Sequence, residues 1–157
     1  MTVSIDGAGS ISGLVPIVVR ATKTGPDSNI LSNTQTVVVF NTEEEDSSGA
    51  YNNSTGVFTA VVPGTYQVNW RVSLSSTTAV GASALSILRK NGTDYRRGSQ
   101  LTSTGINVFG SAGSASVSLL SGDTLDITGL ITFGSGLGEV DSGSAVTFLD
   151  IHLVQRT

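Results

Sequence analysis

Residues 66–74 read Tyr-Gln-Val-Asn-Trp-Arg-Val-Ser-Leu, so Tyr66, Val68, Trp70, Val72 and Leu74 alternate with Gln67, Asn69, Arg71 and Ser73. A period of two puts the first set on one face of a β-strand and the second on the other. β-branched and aromatic side chains also suit a pleated, half-buried surface. This is the clearest strand in the chain. It predicts a sheet with one face against a core and the other face polar.

Shorter runs of the same texture surround it. Residues 15–22 form a first run, closed by the turn signal Gly25-Pro26-Asp27, and residues 36–40 are β-branched and aromatic. Residues 57–62 follow a turn at Asn52-Asn53-Ser54-Thr55-Gly56. Residues 82–88 lead into Asn91-Gly92, a dipeptide that favours a tight hairpin. Residues 114–120 alternate through Ala115, Val117 and Leu119 and end at Ser121-Gly122-Asp123. Residues 125–133 and 145–154 complete the set, joined by a glycine-rich loop over 134–143. No apolar stripe recurs at helical spacing. Short strands this closely spaced read as an all-β sandwich or barrel. No internal repeat of solenoid or propeller length is present.

Composition narrows the function classes. At 157 residues the chain is expected to form one domain. Gly, Ser and Thr occupy 61 positions and charged residues only 13%, a balance that works against long helices. With no cysteine there is no disulfide framework, thiolate metal site or cysteine nucleophile. A single histidine excludes multi-histidine zinc sites, and a net charge of -4 argues against nucleic-acid partners. No apolar run approaches the ~18 residues that span a bilayer, so membrane insertion is not expected. The first residues lack the basic and apolar regions of a secretory signal.

The order of the turn signals carries a more specific reading. Tyr51 precedes Thr55-Gly56, Phe58 follows two residues later, and Pro63-Gly64-Thr-Tyr66 opens the alternating strand with Trp70. Further on stand Leu88-Arg-Lys-Asn-Gly92 and Val117-Ser-Leu-Leu-Ser-Gly-Asp-Thr-Leu125. This pattern, over about residues 14–155, resembles the C1q-like domain of the tumour-necrosis-factor-like jelly rolls. Ala60-Val61 stands where that family commonly has Cys-Pro, and Ser121 where it has Pro. The resemblance implies a ten-stranded jelly-roll β-sandwich that assembles as a tight homotrimer. Residues 47–70, 72–88 and 98–122 carry no charge, which fits either surfaces buried between copies or Ser/Thr/Asn-rich strands solvated by their hydroxyls.

Residues 1–14 (MTVSIDGAGSISGL) are too sparse in apolar residues to make a core alone. They are expected to be a short extended attachment segment ahead of a domain over 15–157. Their sequence resembles stretches in tailed-bacteriophage fibre and virion-surface proteins. The expectation is therefore a non-enzymatic homotrimer on a phage virion surface, a capsid decoration, cement or head-fibre knob. Residues 1–14 would bind a capsid or tail protein after assembly in the host cytoplasm. The alternative is a tail-fibre tip that recognises host-surface glycan through the loop at 134–143. A polysaccharide hydrolase would need paired carboxylates in a cleft, and no motif identifies them.

Several side-chain groups stand out. Asp150 and His152 share a strand face, but no Gly-x-Ser-x-Gly motif accompanies them, so no catalytic residue is expected. Glu43, Glu44, Glu45 and Asp46 concentrate negative charge and are expected to form a solvated acidic loop. A Ca²⁺ site is the alternative there, as it is for Asp123, Asp126, Glu139 and Asp141, though Ca²⁺ needs six to eight convergent oxygens. No other cofactor is implied. Arg89, Lys90, Arg96 and Arg97 flank the Asn91-Gly92 hairpin with only Asp94 opposing them. They are either a grip for an acidic partner or an ordinary charged edge. Gly134-Ser-Gly-Leu-Gly138 opens no helix and reads as a loop rather than a phosphate cradle.

Overall fold

A computed structural model describes residues 4–5, 11–12, 16–76, 82–102 and 108–157. Among these every regular element is a β-strand. Strands β1 (Ser4–Ile5) and β2 (Ile11–Ser12) pair antiparallel with each other. The remainder of the expected attachment segment lies outside the described residues.

Fourteen further strands form two seven-stranded antiparallel sheets. The first contains β5 (Thr36–Val37), β7 (Tyr51–Asn52), β8 (Val57–Thr59), β10 (Ser83–Lys90), β11 (Thr93–Arg97), β12 (Leu101–Thr102) and β14 (Thr124–Thr132). Its order is β11-β10-β14-β8-β7, with β12 also on β10 and β5 also on β14. The second contains β3 (Val18–Thr22), β4 (Asp27–Ile30), β6 (Thr42–Asp46), β9 (Gly64–Ser76), β13 (Val108–Leu119), β15 (Gly138–Val140) and β16 (Phe148–Arg156). Here the order is β4-β15-β9-β16-β3-β6, and β13 lines the other side of β9. This is the all-β sandwich that the sequence pattern implies, with fourteen strands rather than ten because the expected runs are divided into shorter ones.

The divisions have local causes. The run at 36–40 is a ladder only over Thr36–Val37; the Val38 N–H still donates to the Ile127 carbonyl at 2.8 Å, and the Val38 and Phe40 side chains fill the core. The acidic stretch is strand β6 rather than a loop. Residues 134–143 are not one loop either: β15 lies within them and pairs with both β4 and β9.

Strand β9 is the spine. Tyr66, Val68, Trp70, Val72 and Leu74 are all buried, as their alternation predicts, against Phe40, Phe58, Ile87, Leu125, Ile127 and Ile131 of the facing sheet. Ser73 is buried as well, with its hydroxyl donating to Asp141 Oδ2 at 2.7 Å. At one end Gly64 is paired with Arg156, and at the other Ser76 is paired with Gly138. Strand rise makes that span about 40 Å. Ile17 and Leu153 are joined at the Gly64 end, where Leu153 N–H donates to the Ile17 carbonyl at 2.9 Å.

Candidate functional site

The residues of the 51–70 pattern occupy the core and the turn that enters it. Tyr51, Phe58, Tyr66 and Trp70 are buried, and the Phe58 and Tyr66 rings meet edge-on with centroids 5.5 Å apart. The Tyr51 hydroxyl accepts the Phe40 N–H at 3.1 Å, and burial pushes its pKa above the ordinary tyrosine value. Thr55 and Gly56 make the turn, with Gly56 at φ 74° and its N–H on the Asn52 carbonyl. A Cβ at Gly56 would sit 2.7 Å from the Val38 carbonyl oxygen. Pro63 precedes Gly64, whose missing side chain lets the Gln155 carbonyl approach.

Two of the four basic side chains of the hairpin are paired within the chain: Arg89 Nε donates to Asp126 Oδ1 at 2.7 Å, and Lys90 Nζ lies 2.9 Å from Asp123 Oδ2. Arg96 stacks on Tyr95, 4.3 Å from the ring centre, and both Arg96 and Arg97 are exposed. Asp123 accepts from Asn91 Nδ2, the Leu120 N–H and Lys90, which hold its pKa down at about 2.

The acidic residues are dispersed in a similar way. Asp46 caps the following turn by accepting the Ser48 and Tyr51 N–H groups. Burial raises its pKa more than any single hydrogen bond lowers it. The Tyr51, Ser48, Ala50 and Gly49 amides together still bring it below the ordinary value. Glu45 pairs with Arg20 at 3.3 Å. Asp126 and Asp123 lie on or beside β14, whereas Glu139 and Asp141 lie along β15, where Ser28, Ser73 and Ser75 donate to them. Among the described residues no three carboxylate or imidazole groups converge as a Ca²⁺ site requires.

Asp150 and His152 both face outward on β16, and they belong to a broader surface. Ladder pairing sets three rows across the outer face of the second sheet. One row runs Arg20, Asp150, Asn69, Ser114. The next runs Val18, His152, Gln67, Ser116, and the third Thr22, Phe148, Arg71, Ala112. Ser116 Oγ donates to Gln67 Oε1, Gln67 Nε2 to Ser114 Oγ, and Ser114 Oγ to Asn69 Oδ1, each at 2.8 Å. Those hydroxyls are committed to amides and do not approach His152 as a nucleophile would. The part of the face on β9 and β13 is thus mostly polar and held by its own hydrogen bonds.

Arg71 is its exception. Its Nε is buried with no hydrogen-bond partner among the described residues. The guanidinium lies over Gly110 of β13, where a Cβ would sit 2.7 Å from Nη2. Leaving a charged donor group unmatched is costly. Sequence reasoning did not single out Arg71. The available signal was its position as the one charge between residues 47 and 88.

The glycine-rich segment helps to shape a shallow cleft of about 420 Å³ at the far end of the sandwich, lined by Ser28, Asn29, Ser75, Leu137 and Glu139 among others. Asn29 holds a positive φ of 68° there.

No curated protein matches the sequence. Among solved structures the fold is similar to the globular domain of zebrafish complement 1qA protein, at 18% identity and a TM-score of 0.60, covering 90% of this chain and 99% of that one. It is also similar to murine APRIL at pH 5.0, at 12% identity and a TM-score of 0.63, covering 89% and 100%. Eiger TNF from S. frugiperda is similar at 12% identity and a TM-score of 0.59, covering 90% and 94%. Residues 22–127, about two thirds of the sequence, match the C1q domain family. The chain therefore belongs to the C1q domain family.

Proposed function

We propose that this chain is a non-enzymatic structural protein that works as a homotrimer, with the outer face of the second sheet buried between copies. The observation that carries the reading is Arg71, the one charge between residues 47 and 88, partly exposed on an internally hydrogen-bonded face and with no carboxylate partner among the described residues. A second copy covering that face would supply its exposed donors with a partner. Light scattering across nanomolar to micromolar concentrations tests this. A stable 16.0 kDa monomer throughout would refute it, since an obligate assembly persists at micromolar concentration.

The setting we propose is the surface of a phage virion, as a capsid decoration or head-fibre knob held by residues 1–14. Support comes from the likeness of those residues to virion-surface proteins and from a cysteine-free chain suited to assembly in a reducing cytoplasm. Co-sedimentation with intact particles from a lysate expressing the gene is the expected result. Recovery only in the particle-free supernatant would refute it.

A second reading, a fibre tip that binds host glycan, is favoured by the cleft at Ser28, Asn29 and Glu139. It predicts glycan-array binding that is lost on Asn29→Ala with Glu139→Ala. An array on which the wild type binds nothing rejects it.

A further inference from the structure

We propose that Arg71 of one copy enters an acidic notch on the next, formed by Glu44, Phe148 and Asp150, and that this head-to-tail contact closes the ring. The inference rests on the self-association reading above and names the side chains that carry it.

The sheet face has a polarity of charge. Arg71 belongs to β9, and its guanidinium leans away from β16 to lie over Gly110 on the edge strand β13. Glu44 belongs to β6, the opposite edge, three inter-strand spacings or about 14 Å away. It sits where the β3–β6 register shifts between Arg20 and Ala21. Glu44, Phe148 and Asp150 line one shallow notch with Ala21, Thr22 and Ser144. Arg20, the nearest cation, is already paired with Glu45. The ion pairs and hydrogen bonds among the described residues include neither Glu44 nor Asp150.

The guanidinium thus lies over β13 on one side of β9, while the two carboxylates lie on the other side, Asp150 on β16 next to β9 and Glu44 on the edge strand β6. Complementary patches displaced across one face meet the requirement for a heterologous contact, which closes into a ring when the rotation is right. In the notch a guanidinium gains charge-assisted hydrogen bonds from two carboxylates and the face of the Phe148 ring.

Native mass spectrometry at graded concentrations tests the contact. Arg71→Glu is expected to raise the dissociation constant of the assembly about 100-fold, and Glu44→Lys with Asp150→Lys to do likewise. All three changes in one chain are expected to return it to within about tenfold of wild type. If both charge reversals assemble like the wild type, the proposal is overturned while the self-association reading stands. A monomeric wild type overturns both. If Arg71→Glu loses its β-sheet circular dichroism, a cysteine pair decides instead. The chain has no cysteine of its own, and a contact through arginine and glutamate side chains leaves the two Cα atoms beyond disulfide reach, so Arg71→Cys with Glu44→Cys should give covalent trimers with a short bis-maleimide cross-linker. A product that stays single-chain on a non-reducing gel overturns the contact.

Discussion

Trp70 Nε1 donates to Ser86 Oγ at 2.8 Å, and this one bond ties β9 of the second sheet to β10 of the first through an otherwise apolar interior. The Ser86 hydroxyl also meets Ser111 Oγ at 2.7 Å, and Ser111 donates to the Ser99 carbonyl at 2.7 Å. Ser86 Oγ thus accepts from the indole and passes its proton to Ser111 Oγ, which also accepts the Ser86 N–H at 2.8 Å, an arrangement in which the members polarise one another. Ser86→Ala would leave the indole N–H without an acceptor. The expected loss is about 1–3 kcal/mol, read from the urea midpoint with the fluorescence of the single tryptophan as probe.

Gly113 lies opposite Trp70 in the β9–β13 ladder, and a Cβ there would overlap the indole at Cζ2. Gly113→Ala is therefore expected to cost about 1–3 kcal/mol through displaced packing. Gly134→Ala is the control, because that position has open space around it and should change stability by no more than about 0.5 kcal/mol. Thermal melts of the two variants side by side check the contrast.

Lys23 is buried, and its ammonium reaches Asp27 Oδ2 at 2.8 Å and the Val39 carbonyl at 3.3 Å. Asp27→Ala strands that charge, with an expected loss of about 3 kcal/mol. Replacing both residues, Lys23→Met with Asp27→Ala, should recover most of the loss, since an uncompensated buried charge is worse than none. Chemical denaturation of the single and double variants gives the coupling.

Acid should weaken the fold through Asp123 and Asp46. Both carboxyls have folded-state pKa values below their unfolded ones, Asp123 at about 2 against an unfolded value of about 3.9. A group depressed on folding adds stability above its unfolded pKa and loses it as pH falls through the folded value. Unfolding free energy should therefore decline from about pH 4 towards pH 2. Asp123→Asn should flatten that part of the curve, which circular dichroism followed during acid titration would show.

How much of this was readable beforehand depended on whether a residue's neighbours lie near it in sequence. The alternation of residues 66–74 fixed the spine, because burial on one side leaves a mark with a period of two. The Thr55-Gly56 turn was equally plain, since Gly56 needs a conformation with positive φ and space beside Val38. The strand character of Glu43 to Asp46 left no apolar mark. It is imposed by pairing with β3, which sequence reasoning cannot place. Within the glycine-rich segment, Gly138 is held in a strand by pairing with Ile30 and Ser76, and it is glycine because Ile131 and Phe133 crowd the place of its Cβ, at 2.9 and 3.1 Å. The basic hairpin read as a patch because Asp126, which neutralises Arg89 across the β10–β14 ladder, is 37 residues away. Arg71 was missed for the converse reason. A lone charge between two uncharged runs looks incidental until the face it occupies is assembled.

The hydrogen bond between Leu153 and Ile17 also bears on how the molecule can be used. A guest peptide fused after Thr157 would leave from the same side at which Ile17 enters, since Thr157 N–H meets the Pro63 carbonyl there. A guest spliced in at residues 134–137 would stand at the opposite extremity of β9. The sandwich thus separates the pole of Ile17 and Thr157 from the pole of residues 134–137, and cargo could be added at either without crossing the other.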